Sequence, residues 1–256
     1  MGREVILPAT LPQRIVSLVP SQTELLYDLG LGDRVVGITK FCVHPADWRK
    51  QKTIVGGTKQ FRFEVIDDLA PDLIIGNKEE NYREGIEALA KKYPVWMSDI
   101  ATLTDALEMI ESVSDLCGEA EQGIAMAREI RQGMEAVDKT NQGTAVYLIW
   151  RQPYMAAGSG TFIHEVLQQA GFQNQVLDDR YPELSVSALE ALSPDHVLLS
   201  SEPFPFKAKH IAELKEVLPN AQVRLVDGEM FSWYGSHMLQ LPAYLNQLRQ
   251  DLLLSE

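Results

Sequence analysis

Short apolar runs alternate with segments of helical periodicity along the first hundred residues. Four such runs predict buried strands: RIVSLV (14–19), RVVGIT (34–39), DLIIGN (72–77) and PVWMS (94–98). Helical patterns separate them, and in the first, PSQTELLYDLGLGD, Ser21 and Glu24 have the spacing of a capping box. Strands that alternate with helices predict a parallel sheet with helices packed on its faces.

The pattern changes between Leu103 and Val137, where apolar residues recur at helical spacing and no proline occurs. Glycines such as Gly118 lower helix stability there by roughly 1 kcal/mol each relative to alanine. The segment therefore predicts one long helix, or two nearly continuous ones.

Strand and helix patterns alternate again in the second half, which echoes the first. The strand runs are TAVYLIW (144–150), HVLLSS (196–201) and QVRLVD (222–227). IDDLAPDLIIGN in the first half matches LEALSPDHVLLSS in the second. We therefore expect the α/β class, with two parallel-sheet α/β lobes joined by one long backbone helix. The expected boundaries are an N-terminal lobe at 1–102, a connecting helix at 103–138 and a C-terminal lobe at 139–256.

Composition and charge narrow the classes of partner. Of 256 residues, 45% are hydrophobic and 23% charged, as in ordinary globular proteins. Lys and Arg total 23 against 36 Asp and Glu, and the net charge of −13 argues against nucleic acid and anionic membrane as partners. No apolar run has membrane-spanning length, so we expect no direct membrane insertion. Cys42 and Cys117 lie too far apart in sequence for a metal-type pair, and nothing demands a disulfide.

The first twenty residues, MGREVILPATLPQRIVSLVP, lack the basic head, apolar core and cleavage site of a secretory signal. Two explanations stay open: the protein acts in the cytoplasm, or an export signal has been removed from it.

Several predicted strands are followed by loops rich in aromatic residues. These loops are KFCVHP, RQPYMAAGSG, SEPFPF and DGEMFSWYGSH. Ligands of parallel α/β sheets bind beyond the carboxyl ends of the strands, so these rings predict a binding surface for a planar or bulky ligand. Pro203 and Pro205 favour an extended path in which Phe204 and Phe206 point to opposite sides, one as an anchor and one towards ligand. The alternative for Phe231–Tyr234 is a lid packed on the core.

The chain resembles the substrate-binding proteins of ABC importers for cobalamin, haem and ferric siderophores. Four stretches carry this resemblance by their order and spacing: RIVSLVPSQTELLYDLGLGDRVVGIT, IDDLAPDLIIG, GSGTFIHEVLQQAGFQN and LSPDHVLLSS. It covers nearly the whole chain and is greatest to the cobalamin-binding members. It implies two α/β lobes, one long backbone helix, a ligand cleft between the lobes and no catalysis.

The resemblance also implies site residues. Phe41 matches an aromatic that the family offers to the corrin, and residues 231–236 match the loop before the last helix. With the residue types on the strand-end loops, the expected ligand contacts are Ser21, Gln22, Phe41, His44, Arg151, Tyr154, Tyr181, Phe204, Phe206, Phe231, Ser232, Trp233, Tyr234, Gly235, Ser236 and His237. Glu64 matches a glutamate through which family members dock on the permease, whereas Ser187 occupies the matching place in the second half.

Metal and catalytic sites are not predicted. His44 and His237 lie on the expected ligand loops, but no set of three or four converging ligands stands out. Axial ligation of haem iron or corrinoid cobalt by one histidine is the alternative. We expect His164 and His196 to be structural and His210 to be solvated. The chain has no GxSxG elbow or other catalytic motif, so we expect no enzyme.

The sequence therefore predicts a monomeric, non-catalytic binding protein without an intrinsic cofactor. Its ligand is cobalamin, haem or a ferric siderophore, with the corrinoid favoured, and its partner is an ABC importer permease. The resemblance implies the periplasm or cell envelope. A leaderless intracellular cofactor-handling protein or enzyme and a haem or siderophore receptor stay open as alternatives.

Overall fold

The computed structural model describes residues 10–253, without the side chain of Leu253. The first nine residues, which belong to the segment lacking an export-signal pattern, lie outside the described residues. The chain forms two compact units. Unit 1 takes in residues up to Ile100, Thr104–Arg131 and Tyr234–Leu239, and unit 2 takes in Ala101–Leu103, Gln132–Trp233 and the residues from Gln240 onwards.

Unit 1 is built on a five-stranded sheet in the order β3-β2-β1-β6-β7. Its strands are Ile15–Ser17 (β1), Val35–Ile38 (β2), Thr53–Ile54 (β3), Leu73–Asn77 (β6) and Val95–Ser98 (β7). Every neighbouring pair is parallel, which confirms the sheet type and the four strands predicted for this half. Gly56–Gly57 (β4) and Gln60–Phe61 (β5) form a separate antiparallel pair.

Helices pack against this sheet. They are Pro20–Asp28 (α1), Trp48–Gln51 (α2), Phe63–Leu69 (α3) and Arg83–Leu89 (α4). The predicted capping box at Ser21 and Glu24 is wrong, because α1 begins at Pro20 and its N-cap, Val19, makes no side-chain cap bond. Proline suits the first helical position, and this start places Ser21 inside the first turn.

The segment from Leu103 forms two helices, Leu103–Leu116 (α5) and Ala120–Glu135 (α6). This is the second of the two alternatives predicted for the segment, and the single long helix is not formed. Gly118 adopts the left-handed conformation (φ 79°), which glycine allows at a helix end, and the backbone N–H of Glu119 donates to the carbonyl of Ser114. A Cβ on Gly123 would lie 1.8 Å from Ser114 Oγ, so glycine permits the close packing of these two helices. The boundary between the units falls within α6, after Arg131.

Unit 2 contains a mixed sheet in the order β11-β9-β8-β12-β13, with β10 also paired to β8. Its strands are Thr144–Trp150 (β8), Tyr154–Ala156 (β9), Gln173–Asn174 (β10), Glu183–Leu184 (β11), His196–Ser200 (β12) and Gln222–Val226 (β13). β10, β12 and β13 follow the expected parallel arrangement. β9 and β11 are antiparallel and correct the purely parallel prediction, because the turn at residues 151–153 reverses the chain after β8.

The remaining helices are Phe162–Gln169 (α7), Val186–Leu192 (α8), Ala208–Val217 (α9), Gly228–Ser232 (α10) and Leu241–Leu253 (α11), with a 3₁₀ helix at Ser236–Leu239. His210 is buried in α9 and its Nδ1 accepts from the backbone N–H of Lys207 at 2.9 Å, so the expectation of a solvated histidine is wrong. Among residues 10–253 no helix has the length and apolar character needed to cross a membrane.

The sequence echo is also a structural repeat. α3 and α8 each end in a left-handed residue, Ala70 or Ser193, and each is followed by Pro-Asp and a buried five-residue strand. Asp72 accepts from the backbone N–H groups of Gln13 and Arg14 at the start of β1. Asp195 accepts in the same way from the N–H and hydroxyl of Thr144, which opens β8, at 2.7 Å each.

Candidate ligand-binding site

At the carboxyl end of β2, Phe41 presents an exposed aromatic ring. Its side chain is 49% exposed, and the Lys40 ammonium lies 4.9 Å from the ring centroid. Gly57 lies against the ring on one side. Because an exposed ring held by its neighbours offers a flat apolar surface, Phe41 has the property expected of a ligand contact.

Directly beneath Phe41 the chain turns inward. The Cys42 thiol is fully buried, with the hydroxyls of Thr23 and Thr39 3.1 and 3.2 Å away. Burial raises the pKa of this thiol above its ordinary value. Cys42 therefore fixes the base of the loop and is not a reactive group.

Ser21 and Gln22 lie inside unit 1 rather than on its surface. Gln22 is fully buried, and its Nε2 donates to Ser98 Oγ at 2.6 Å. Asn77 Nδ2 donates to the same Ser98 oxygen at 3.0 Å. This amide network joins α1 to the ends of β6 and β7, so Gln22 supports the strand-end surface from below.

The segment Tyr234–His237 packs on α1, and a contact between a histidine and a carboxylate marks this packing. His237 Nδ1 lies 3.0 Å from Glu24 Oε2, and both side chains are largely buried. The His44 ring stacks near the His237 ring, with centroids 6.2 Å apart. Burial raises the pKa of the nearby Asp28 carboxyl, a bond from Ser236 lowers it, and the Glu24 charge raises it. Gly235, at φ 105°, lies against Leu25 and needs a conformation that favours glycine.

In unit 2 an aromatic cluster forms around the loop after β12: Phe204 and Phe206 of the loop meet Trp150 at the end of β8 and His210 of α9. Phe206 is buried in the core, and Phe204 is half-buried against the same core. The backbone N–H of Phe206 donates to the carbonyl of Phe204 at 2.8 Å, so the chain turns here, and the prediction that the two rings point to opposite sides is wrong. The Phe204 ring lies 4.8 Å from Phe206 and 5.6 Å from Trp150, centroid to centroid. Arg151, in the turn after β8, is held by Glu213 of α9, with Nη2 2.7 Å from Oε2.

A cavity of about 590 Å³ lies at the carboxyl ends of β12 and β13. It is lined by Ser201, Glu202, Leu225, Val226, Asp227 and Glu229. This is the position at which parallel α/β sheets bind ligands. Its lining combines apolar strand residues with three carboxylates, so it suits hydrogen-bond donors and apolar atoms better than anions.

The other predicted contacts in unit 2 differ in exposure. Phe231 is fully buried, with its ring 4.9 Å from Tyr147, a position that favours the alternative of packing on the core. Tyr154 is half-buried against the core of unit 2, and Tyr181 is half-buried beside Pro182. Trp233 is buried, and its indole N–H and the Ser232 hydroxyl both donate to Glu202.

The structure thus separates the predicted contacts by depth. Phe41 is exposed, and His44, Arg151, Tyr154, Tyr181, Phe204 and Ser232 are half-buried. Ser21, Gln22, Phe206, Phe231, Trp233, Tyr234, Gly235, Ser236 and His237 are buried. Ligand contact by any of them stays a prediction, and the partly exposed group is the better candidate. Glu64 is exposed in the first turn of α3.

Sequence reasoning missed two carboxylates. The sequence indicates Glu24 only as part of a cap and gives Glu202 no role, yet each bonds a residue of the segment 231–237, called the aromatic segment below. The signal for Glu202 was its place directly after a strand run in SEPFPF. Nothing near Glu24 in sequence indicates His237, because 213 positions separate them. Within the described part of the chain, no group of three or more His, Cys, Asp or Glu side chains is arranged to hold a metal ion.

Comparison with known proteins identifies the family of this chain. Residues 15–221 match the family model described as periplasmic binding protein. A vitamin B12-binding protein of Vibrio campbellii is 28% identical over 214 residues, covering 81% of this chain and 77% of that protein. A vitamin B12-binding protein of Pectobacterium carotovorum is 25% identical over 202 residues, covering 75% and 73%.

The solved structure of a periplasmic haem-binding protein from Roseiflexus has a TM-score of 0.80 at 21% identity, covering 94% of this chain and 97% of that one. This similarity shows the fold. Because the matched family model spans most of the chain, the class of this protein is that of ligand-binding proteins. The chain belongs to the periplasmic binding protein family.

Proposed function

We propose that this protein binds a corrinoid of the cobalamin type and delivers it to an ABC importer. The proposal rests mainly on sequence similarity: two vitamin B12-binding proteins are 25–28% identical to this protein over about three quarters of its chain. Phe41 and Phe204 support the proposal, because they place partly exposed rings at strand ends. A corrinoid presents a broad, largely apolar face that such rings can contact.

The acidic cavity of unit 2 supports a corrinoid over the alternatives. Cobalamin carries amide side chains that donate hydrogen bonds, whereas haem carries propionates and many ferric siderophores are anionic. Glu202, Asp227 and Glu229 would accept from amides and repel carboxylates. Haem remains the second candidate, because the stacked His44 and His237 rings put an imidazole near the Phe41 loop.

We further propose that the partner is an importer permease and that Glu64 is one contact. Glu64 is exposed at the start of α3, where a carboxylate can reach a basic partner. Ser187 occupies the equivalent place in α8, so unit 2 offers no carboxylate there. The proposed location is the cell envelope, where such a permease meets its binding protein.

Titration with cyanocobalamin, haemin and a ferric siderophore tests the proposed ligand, with intrinsic tryptophan fluorescence and calorimetry as readouts. We expect binding of cyanocobalamin alone. Replacing Phe41 with alanine should weaken that binding about 5- to 30-fold, since a stacked ring contributes on the order of 1–2 kcal/mol.

Tyr27→Ala is the matched control, because Tyr27 is also 49% exposed and lies on unit 1, but packs on Trp48. It should leave the dissociation constant unchanged. Binding of haemin alone would replace the corrinoid proposal, and equal losses in both variants would remove Phe41 from the site.

A further inference from the structure

Glu202 connects the loop after β12 to the aromatic segment after β13. One of its carboxylate oxygens, Oε1, accepts from the Trp233 indole N–H at 2.9 Å. The same oxygen lies 2.9 Å from the Ser232 hydroxyl, whose single proton has the Gly228 carbonyl, at 2.8 Å, as its other acceptor. Bonds from polar groups to a carboxylate are stronger than those between neutral groups. A single side chain thus fixes two consecutive residues of the segment that carries the aromatic rings.

The backbone around Glu202 is fixed as well. The Ser200 hydroxyl donates to the Glu202 carbonyl at 2.5 Å, and the Gly228 N–H donates to Ser201 Oγ at 2.8 Å. A Cβ on Gly228 would lie 2.6 Å from Glu202 Cγ, so the methylene stem packs directly on the start of α10. The carboxylate therefore has little freedom to move away from Trp233.

The charge surroundings of Glu202 are unfavourable for a carboxylate. Burial raises its pKa above the ordinary value, the Glu229 and Asp227 charges raise it too, and the bonds from Ser232 and Trp233 oppose this. A half-buried carboxylate beside two others lowers stability unless its bonds offset the desolvation. The geometry thus indicates that Glu202 acts as a hydrogen-bond acceptor for neighbouring side chains and not as a surface charge.

We propose that Glu202 is the positioning residue that holds Trp233 and α10 in place, and α10 in turn contributes Glu229 to the lining of the cavity of unit 2. Because the indole N–H donates to Glu202, the orientation of the buried Trp233 ring is fixed. Because Trp233 and α10 are already ordered in the free protein, ligand binding does not lose the conformational entropy of ordering them. The expected effect of Glu202 on ligand affinity rests on the proposed function. Its expected effect on the order of Trp233 in the free protein does not.

Acrylamide quenching of Trp233 in the ligand-free protein is the first test. The chain has 4 tryptophans, so the Trp233 signal is obtained by difference against Trp233→Phe in each background. In Glu202→Ala we expect the quenching constant of Trp233 to rise at least about 2-fold, because the ring loses its anchor. Glu202→Gln keeps an acceptor oxygen and should match the wild type. Glu216→Ala, which removes an exposed glutamate of α9, is the charge control.

A Trp233 quenching constant in Glu202→Ala equal to that of the wild type would overturn the proposal. A quenching constant in Glu202→Gln as high as that in Glu202→Ala would also overturn it. If Glu202→Ala does not fold, Glu202→Asp replaces it, since aspartate keeps the charge but withdraws the acceptor by one methylene. Unchanged quenching in that variant would equally contradict the positioning role.

Ligand affinity is the second test. Glu202→Ala should raise the dissociation constant for cyanocobalamin about 10-fold, and Glu202→Gln should change it less than about 3-fold. Equal affinity in all variants, with quenching altered in Glu202→Ala, would overturn the link to the ligand. If the wild type binds none of the three ligands, the proposed function fails while the quenching result still decides the role of Glu202.

A pH profile is the third readout. Because the folded-state pKa of Glu202 lies above its unfolded value, the folded state binds this proton more tightly. Its contribution to stability is fully present below the unfolded pKa of about 4.3 and is lost as pH rises through the folded value. Glu202→Gln should therefore gain in melting temperature relative to the wild type as pH rises to neutral. A constant difference would contradict the burial of this charge beside Glu229 and Asp227.

Discussion

A short helix, a Pro-Asp turn and a buried five-residue strand occur in both units, as α3 with β6 and as α8 with β12. Ile66 and Leu189, the fourth residues of the two helices, are both fully buried. Asp72 and Asp195 each accept two hydrogen bonds at the start of the central strand. The parts shared by the two units are those that build a core and end a helix.

The differences lie at the edges. Unit 2 adds the antiparallel strands β9 and β11, whereas the sheet of unit 1 is wholly parallel. The helices also start differently, because the Ser185 side chain caps α8 whereas Arg62 gives α3 no side-chain cap bond. Packing thus constrains the repeated interior, while the sheet edges and the helix starts differ between the two units.

The aromatic segment is anchored by a carboxylate in each unit. Glu202 bonds Ser232 and Trp233 in unit 2, and Glu24 pairs with His237 in unit 1. The two anchors differ in partner: unit 2 uses neutral donors, and unit 1 uses a histidine. Removing the Glu202 carboxylate and removing the Glu24 carboxylate should therefore change the free energy of unfolding by different amounts.

The matched core residues Ile66 and Leu189 give the largest expected effect. Replacing either with alanine should lower the free energy of unfolding by about 2–5 kcal/mol, because each removes buried methyl groups and leaves a cavity. Chemical denaturation, followed by fluorescence and far-UV circular dichroism, measures both. Glu84→Ala and Glu190→Ala, at exposed positions, are the surface controls. Each should change the free energy of unfolding by about 0.5 kcal/mol or less.

If one core variant loses several kcal/mol while the other behaves like its surface control, the repeat is a likeness of sequence without a shared role in packing. Similar losses would extend the equivalence from geometry to energetics.

The sequence predicted the repeated interior well, for a physical reason. Buried strands such as β6 and β12 are continuous apolar runs with Pro-Asp before them, and both signals are local. The antiparallel strands escaped prediction because β9 and β11 are two or three residues long and pair through tertiary contacts. The break between α5 and α6 depends on a left-handed Gly118, where the helical pattern alone allows continuation.

The candidate site was harder to predict than the fold. Sequence position indicated which aromatic residues follow strands, but it could not indicate that Phe41 is exposed while Phe231 is fully buried. Exposure depends on what packs above each ring. Likewise Glu24 and His237 meet through tertiary structure, so no spacing rule could pair them.

Glu24→Ala has the second-largest expected effect. His237 then loses its buried partner, and the free energy of unfolding should fall by about 1–3 kcal/mol. The pKa of Asp28 should also decrease, because the Glu24 charge helps to raise it. Denaturant titration measures the first change, and NMR of the Asp28 carboxyl measures the second.

Glu84→Ala serves again as the control, because Glu84 is exposed on α4 of the same unit. An unchanged stability in Glu24→Ala, or a rise in the Asp28 pKa, would show that the pair does not anchor the segment. The contrast between the two carboxylate anchors would then be lost.

The helix starts give the smallest effect and the sharpest comparison between the units. The Ser185 hydroxyl accepts from the backbone N–H of Ala188 at 3.1 Å, so Ser185→Ala should lower stability by about 1 kcal/mol. Arg62→Ser should raise it by about 0.5–1 kcal/mol, because it supplies α3 with the cap bond that α8 already has. Opposite signs in denaturant midpoints would show that the helix start, rather than the repeated interior, separates the two units; a loss in both variants would mean that Arg62 stabilises α3 by other contacts.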